Sequence, residues 1–138
     1  MGHPALDLNL MTNDEKSSTK FSALEFLALT AACEMNPEKK IAQEQLADSN
    51  VTRREFTGCG LFTHFKTNSA SLLTDVDGRI LRGSQQVSLS HPELAHGADI
   101  IVWVENGKMD CLEIVTFGVE DLPTSGDFTI QYWPANNG

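Results

Sequence analysis

Asp99-Ile-Ile-Val-Trp-Val-Glu-Asn106-Gly107-Lys-Met-Asp-Cys-Leu-Glu-Ile-Val-Thr-Phe117 is the stretch on which the fold turns. Asn-Gly supplies the two consecutive positive-φ positions of a type I′ turn, so the flanking runs read as two strands of a tight hairpin. A two-residue loop sets Glu105 against Lys108, an opposite-charge cross-strand pair. Counting back without interruption pairs Val104 with Met109, Trp103 with Asp110, Val102 with Cys111, Ile101 with Leu112 and Ile100 with Glu113. One face then carries Ile100, Val102, Val104, Met109, Cys111, Val115 and Phe117. The other carries Ile101, Trp103, Leu112 and Ile114. Both faces are apolar, which predicts central strands covered at least partly on both sides.

Further strands extend from this hairpin. Thr52–Phe56 and Leu61–Phe65 flank Gly58-Cys59-Gly60, which is either a glycine bulge in one bent strand or a turn between two. Asp77-Gly78 between Leu72–Val76 and Arg79–Leu81 reads as a two-residue hairpin. Val87 and Leu89 mark a strand before Pro92, and Phe128–Trp133 a last one stopped by Pro134.

Upstream the period changes from two to 3.6. Ser22-x-x-Glu25 is a capping box opening a helix. Leu24, Leu27, Ala28 and Ala31 recur at helical spacing, with Phe26 and Leu29 widening the stripe. The helix is expected to stop near Met35, where Asn36-Pro37 reads as an N-cap followed by proline at the first position of a second helix over about 37–47. Ile41, Ala42, Gln45 and Leu46 share one side of that helix. Residues 12–20 are polar and read as a linker, and Leu6-Asp7-Leu8-Asn9-Leu10 alternates like a short strand. Residues 1–19 are thus expected to form an arm that docks on a sheet edge, its own or a neighbouring subunit's. The second case would make a homo-oligomer. Residues 20–138 are expected to form one α+β domain. A two-helix hairpin would pack on an antiparallel sheet of about five or six strands, open to a curved, cystatin-like or NTF2-like form with a pocket.

Composition narrows the function. The chain has 138 residues, 10 Lys+Arg against 19 Asp+Glu, and a net charge of −9. Residues 1–69 carry 7 basic and 9 acidic side chains, net −2, and residues 70–138 carry 3 and 10, net −7. Such a balance argues against nucleic-acid backbones and anionic membrane surfaces, and points instead to a basic protein partner for the acidic sheet half. Glu105, Asp110, Glu120 and Asp121 are the acidic residues expected to meet it. No apolar run approaches the roughly 20 residues of a membrane span. The three cysteines, Cys33, Cys59 and Cys111, are odd in number and widely spaced. They read as small core hydrophobes in a reducing, cytoplasmic setting, with Cys59 the one to test for reactivity or ligand contact.

Metal and cofactor motifs are not formed. Asp75-x-Asp77-Gly78 lacks the first and twelfth ligands of a calcium loop, and Gly58-x-Gly60 lacks the third glycine of a dinucleotide loop. His3, His64, His91 and His96 have no metal-ligand spacing. No metal or cofactor is therefore expected, and no catalytic constellation is visible. Glu113 is the residue singled out, because the uninterrupted register sets it on an apolar face where a free carboxylate is costly. Either that end of the face is solvent-exposed, or Arg53, Arg54 or Arg79 pairs with it. The sharper alternative is a pocket carboxylate of raised pKa, acting as general base or ligand anchor, with His64 beside it and Trp103 as aromatic wall. Trp103, Tyr132 and Trp133 are otherwise expected to pack in the core.

The hairpin and its continuation resemble a segment of small uncharacterised bacterial α+β proteins. In these, a strand ending in V-x-[DN]-G leads to L-x-x-L-E-x-x-T-[YF]-G and then to an acidic-proline segment. The matching residues are Val104-Glu105-Asn106-Gly107, Met109, Leu112-Glu113, Thr116-Phe117-Gly118 and Glu120-Asp121-Leu122-Pro123. The upstream order is similar as well: two helices ending near Gln45-Leu46, then Val51-Thr52-Arg53 and Thr57-Gly58-Cys59-Gly60. The resemblance implies the fold and the hairpin. It implies no catalytic residue, since the group has no assigned function. Two readings follow: a non-enzymatic interaction or regulatory module, immunity-like, and a small-molecule pocket protein or pocket enzyme using Glu113.

Overall fold

The computed structural model describes residues 6–9, 13–74, 76, 78–81, 85–118, 120–123 and 125–133. The chain order is β1 (Leu6–Asn9), α1 (Asn13–Lys16), α2 (Ala23–Glu34), α3 (Lys39–Ala47), β2 (Ser49–Phe56), β3 (Gly60–Thr67), β4 (Gly78–Arg79), β5 (Gln86–Ser90), β6 (Ala98–Glu105), β7 (Lys108–Thr116) and β8 (Ser125–Trp133). This is an α+β architecture, a helix pair followed by one antiparallel sheet. Seven strands run in the order β1-β8-β5-β6-β7-β3-β2, and the short β4 pairs with β6 beside β5. The sheet is open and holds more strands than the sequence suggested.

Local chemistry accounts for the helices. Ser22 accepts the Glu25 N–H, and the Glu25 carboxylate accepts the Ser22 N–H at 2.8 Å, completing the capping box of α2. Leu24, Ala28, Leu29, Ala31 and Ala32 are buried, whereas Phe26 is 51% exposed and lies off the stripe. Helix α3 starts later than the Asn36-Pro37 signal implies. The Asn36 side chain accepts the Glu38 N–H at 2.7 Å and donates to the Ile80 carbonyl, tying the interhelical turn to the sheet instead of opening the helix.

The two edges are joined by the N-terminal segment. β1 pairs with β8 of its own chain, Leu6 opposite Phe128, while the Thr19 carbonyl accepts the N–H of Val51 on the opposite edge strand. Across a flat sheet, six steps of about 4.8 Å would separate β1 from β2 by about 29 Å. The ten residues from Asn9 to Thr19, one helical turn among them, reach only about 29 Å when fully taut. The chain also turns there, Ser18 N–H bonding to the Glu15 carbonyl, so the sheet must curl. Helix α2, which touches β1, β5 and β6, lies on the inner side, with α3 against β7. Within the polar stretch, residues 13–20 thus hold α1 and a turn.

Helix side chains fill that inner face. Leu24, Leu29, Leu61, Leu89, Leu112, Ile114, Phe128 and Ile130 meet there at 0–1% exposure, so the curl of the sheet holds core where a cone would offer a pocket. Each such side chain contributes roughly 1.5–3 kcal/mol by leaving water. The uncertainty at Gly58-Cys59-Gly60 resolves into a turn between β2 and β3, closed by Thr57 N–H to the Gly60 carbonyl. The strand pairing expected across Asp77-Gly78 is not seen among the described residues. β4 pairs with Trp103 and Val104 of β6, and residues 72–74 and 76 form no strand. Asp75 and Asp77 lie outside the described residues.

Candidate functional site

The Asn106-Gly107 turn forms as its chemistry dictates, with φ of 54° and 77°, and Glu105 faces Lys108. Val104 faces Met109. Beyond that pair the uninterrupted count fails, because Trp103 pairs with Cys111, Val102 with Leu112, Ile101 with Glu113 and Ile100 with Ile114. Asp110 is the extra residue of a β-bulge, and every later side chain of β7 changes face. Burial explains the bulge. With it, Met109, Leu112 and Ile114 all reach 0% exposure on the helix side. Without it, Leu112 and Ile114 would turn to solvent and the Glu113 carboxylate would enter the core, which is costly in both directions.

Glu113 therefore sits half-buried on the face that α2 and α3 do not touch. Its partner is the Trp103 indole, whose Nε1–H donates to Glu113 Oε1 at 3.2 Å. None of the three arginines expected there pairs with it. Arg53 bridges to Glu55, Arg54 to Glu25, and Arg79 lies 3.8 Å from Asp99. Ile101, Phe62 and Val115 are half-buried around the pair, and Trp103 is 36% exposed. Trp103 thus stands at the surface, not in the core. So does Trp133, at 57%, while Tyr132 packs partly on the core and donates to Glu34 at 3.4 Å.

Around this apolar strip lie titratable groups. His64, directly opposite Cys111, has Nε2 3.3 Å from Arg53 Nη2 and 3.8 Å from Glu55. It makes no hydrogen bond to Glu113, so the two candidates share a face without forming an acid–base pair. Burial, with Asp110, Glu113 and Glu55 nearby, pushes the Cys111 thiol up to about 12 against the opposing effect of Arg53. Burial and then Glu105 raise the Asp110 carboxyl, while His64 lowers it. The arrangement suits electrostatic contact better than nucleophilic chemistry, since a thiol held protonated is a poor nucleophile.

Other sequence candidates separate. Cys59 is half-buried in the β2–β3 turn, its carbonyl accepting the Thr116 N–H. Glu120 and Asp121 lie at that same end, where Leu122 N–H binds the Gly58 carbonyl, whereas Glu105 and Asp110 lie at the hairpin end of β7. The acidic residues expected to share one surface occupy two. His91 is buried against Phe128, its Nδ1 accepting the Glu93 N–H, and His96 is exposed in the loop after it. His3 lies outside the described residues. Among the described residues no group of three or more His, Cys, Asp or Glu is placed to hold a metal ion, and no helix is long and apolar enough to cross a membrane.

Two polar assemblies were not legible in the sequence. Glu25 and Arg54 are buried at 0% and 2% side-chain exposure and form a bidentate pair at 2.8 Å; Thr63 also donates to Glu25. Arg54 further donates to the carbonyls of Ser18 at 2.7 Å and Lys20 at 2.8 Å. Gln45 donates to the carbonyls of Ser71 and Gly107 and accepts the Met109 N–H, locking α3 onto the hairpin turn. The partners are 26 to 64 residues apart, beyond any local spacing rule.

Comparison of the chain with models of known protein families, with curated proteins and with solved structures found no match.

Proposed function

We propose that the protein is a non-enzymatic interaction module of regulatory or immunity-like type, which engages a basic partner through the sheet face opposite α2 and α3. The supporting observation is Trp103. It stands 36% exposed on that face beside half-buried Ile101, Phe62 and Val115, with Glu113 on its indole N–H. Aromatic side chains set in an apolar strip with a charged rim are the usual anchors of protein interfaces. Glu55, Asp110 and Glu113 along the strip, in a chain of net charge −9, favour a cationic partner over a second copy. Three free cysteines accord with a reducing, cytoplasmic compartment.

The test is capture from lysate with the wild type, Trp103→Ala, Ile101→Asp and a Glu105→Lys/Asp110→Lys pair, each first shown to be folded by circular dichroism. A basic protein retained at low salt by the wild type, released at high salt and lost in the Trp103 and Ile101 variants supports the reading. Equal retention by all of them refutes it.

A further inference from the structure

A second feature of β6 points to a small ligand. Its β7 side is paired throughout, but its other side is shared between two short strands. β4 covers Trp103 and Val104, and β5 covers Ala98 to Ile100. The ladder is interrupted between them, at Ile101 and Val102, with Ile80 N–H to the Val102 carbonyl as the bridging bond. A cleft of about 360 Å³ opens at this gap, lined by Arg79, Leu81, Gln85, Gln86, Asp99 and Ile101. That size lies at the lower end of small-molecule sites.

The polar groups in the cleft have unused hydrogen-bonding capacity of both signs. Arg79 is 54% exposed; its guanidinium lies 5.8 Å over the Trp103 ring and 3.8 Å from Asp99. The second distance is beyond a hydrogen bond, so the N–H fork of Arg79 has no acceptor among the described residues. Asp99 is only 15% exposed and accepts one bond, from the Gln86 amide at 3.0 Å on Oδ1, which leaves Oδ2 facing Arg79. A ligand with a carboxylate for the fork and a donor cation for Oδ2, a few ångströms apart, would satisfy both. A simple anion would meet Asp99, and a simple cation would meet Arg79. Half-buried Leu81 and Ile101 offer apolar wall to a side chain beyond.

We propose that the cleft between β4 and β5 binds a free α-amino acid, its carboxylate on Arg79 and its ammonium on Asp99. The cleft shares the Ile101 wall with the Trp103 strip, and Arg79 lies over the Trp103 ring, but the charged pair that would hold the ligand, Arg79 and Asp99, takes no part in the proposed protein contact.

The test uses the full chain and ligand-observed saturation-transfer NMR with the individual L-amino acids at millimolar concentration. Each binder is followed by its N-acetyl form, which lacks the ammonium, and its carboxamide, which lacks the carboxylate. At least one amino acid is expected to bind, and both blocked forms to lose binding. Arg79→Gln and Asp99→Asn should each weaken affinity by about tenfold or more, as expected for one charged hydrogen bond. Absence of binding by every amino acid overturns the proposal. So does equal binding of the blocked forms, which are tested on the wild type and do not depend on the variants folding.

Discussion

Replacing Arg54 by Met tests whether the buried Glu25–Arg54 pair holds the N-terminal segment to the domain. The substitution keeps the aliphatic stem and deletes five donors. Two of the lost bonds go to Glu25, at 2.8 Å each, and two more to the Ser18 and Lys20 carbonyls. The carbonyls lie in a largely exposed segment and can turn to water. Glu25, at 0% exposure, cannot, and keeps only Thr63 and the Ser22 N–H. Stranding one member of a buried ion pair costs about 3–5 kcal/mol. With an unfolding entropy of about 2.1 cal/mol/K per residue over this chain, that is a fall in Tm of about 10–17 °C. Glu25→Leu/Arg54→Met removes the stranded charge as well and is expected to cost about 1–3 kcal/mol less than the sum of the single changes. Chemical denaturation of the four proteins completes the cycle. Limited trypsinolysis supplies an independent readout, since Lys16 and Lys20 flank the held carbonyls and should be cut faster in the Arg54 variant. A loss below about 1 kcal/mol, or strict additivity in the cycle, would refute the role given to the pair.

Gly97→Ala should be among the most damaging single changes. The backbone there has φ +75° and the new Cβ would stand 2.5 Å from the Leu89 carbonyl oxygen, so a loss of several kcal/mol by urea denaturation is expected. Gln45→Leu leaves the part-buried Ser71 carbonyl and the buried Met109 N–H without their partner, while the Gly107 carbonyl keeps the Leu73 N–H, and should cost about 1–3 kcal/mol, with faster amide exchange at Met109 as the local signature. Native-state alkylation should modify Cys59 well before Cys33 or Cys111, because burial pushes those two thiols up to about 12 from an ordinary 9.0. The same raised values give a sign for alkaline stability. The unfolded thiols ionise above about 9 while the folded ones stay protonated, so stability is intact below pH 9 and declines from there towards 12. Cys33→Ala/Cys111→Ala should flatten that decline in pH-dependent melting.

Glu113 shows where reading from sequence stops. Its strand, its hairpin and its apolar neighbours are all visible in the sequence, yet its face was inverted by one extra residue at Asp110. A bulge leaves no mark in an alternating pattern when both faces of the strand are apolar. The same ambiguity hid the surface position of Trp103, and it made the inner pocket expected from a curved sheet turn out to be core.

Local chemistry was written into the chain: positive φ at Asn106-Gly107, the Ser22–Glu25 capping box, the 3.6-period stripe of α2 and the alternating apolar strands. Each depends on residues within a few positions of one another, so each survives without knowledge of the rest. What the tertiary structure alone decided was long-range: the Asp110 bulge, the Glu25–Arg54 pair, the Gln45 clamp and the gap between β4 and β5. Those are settled by which groups must be buried together and satisfied together, a condition met only when the sheet has curled around α2.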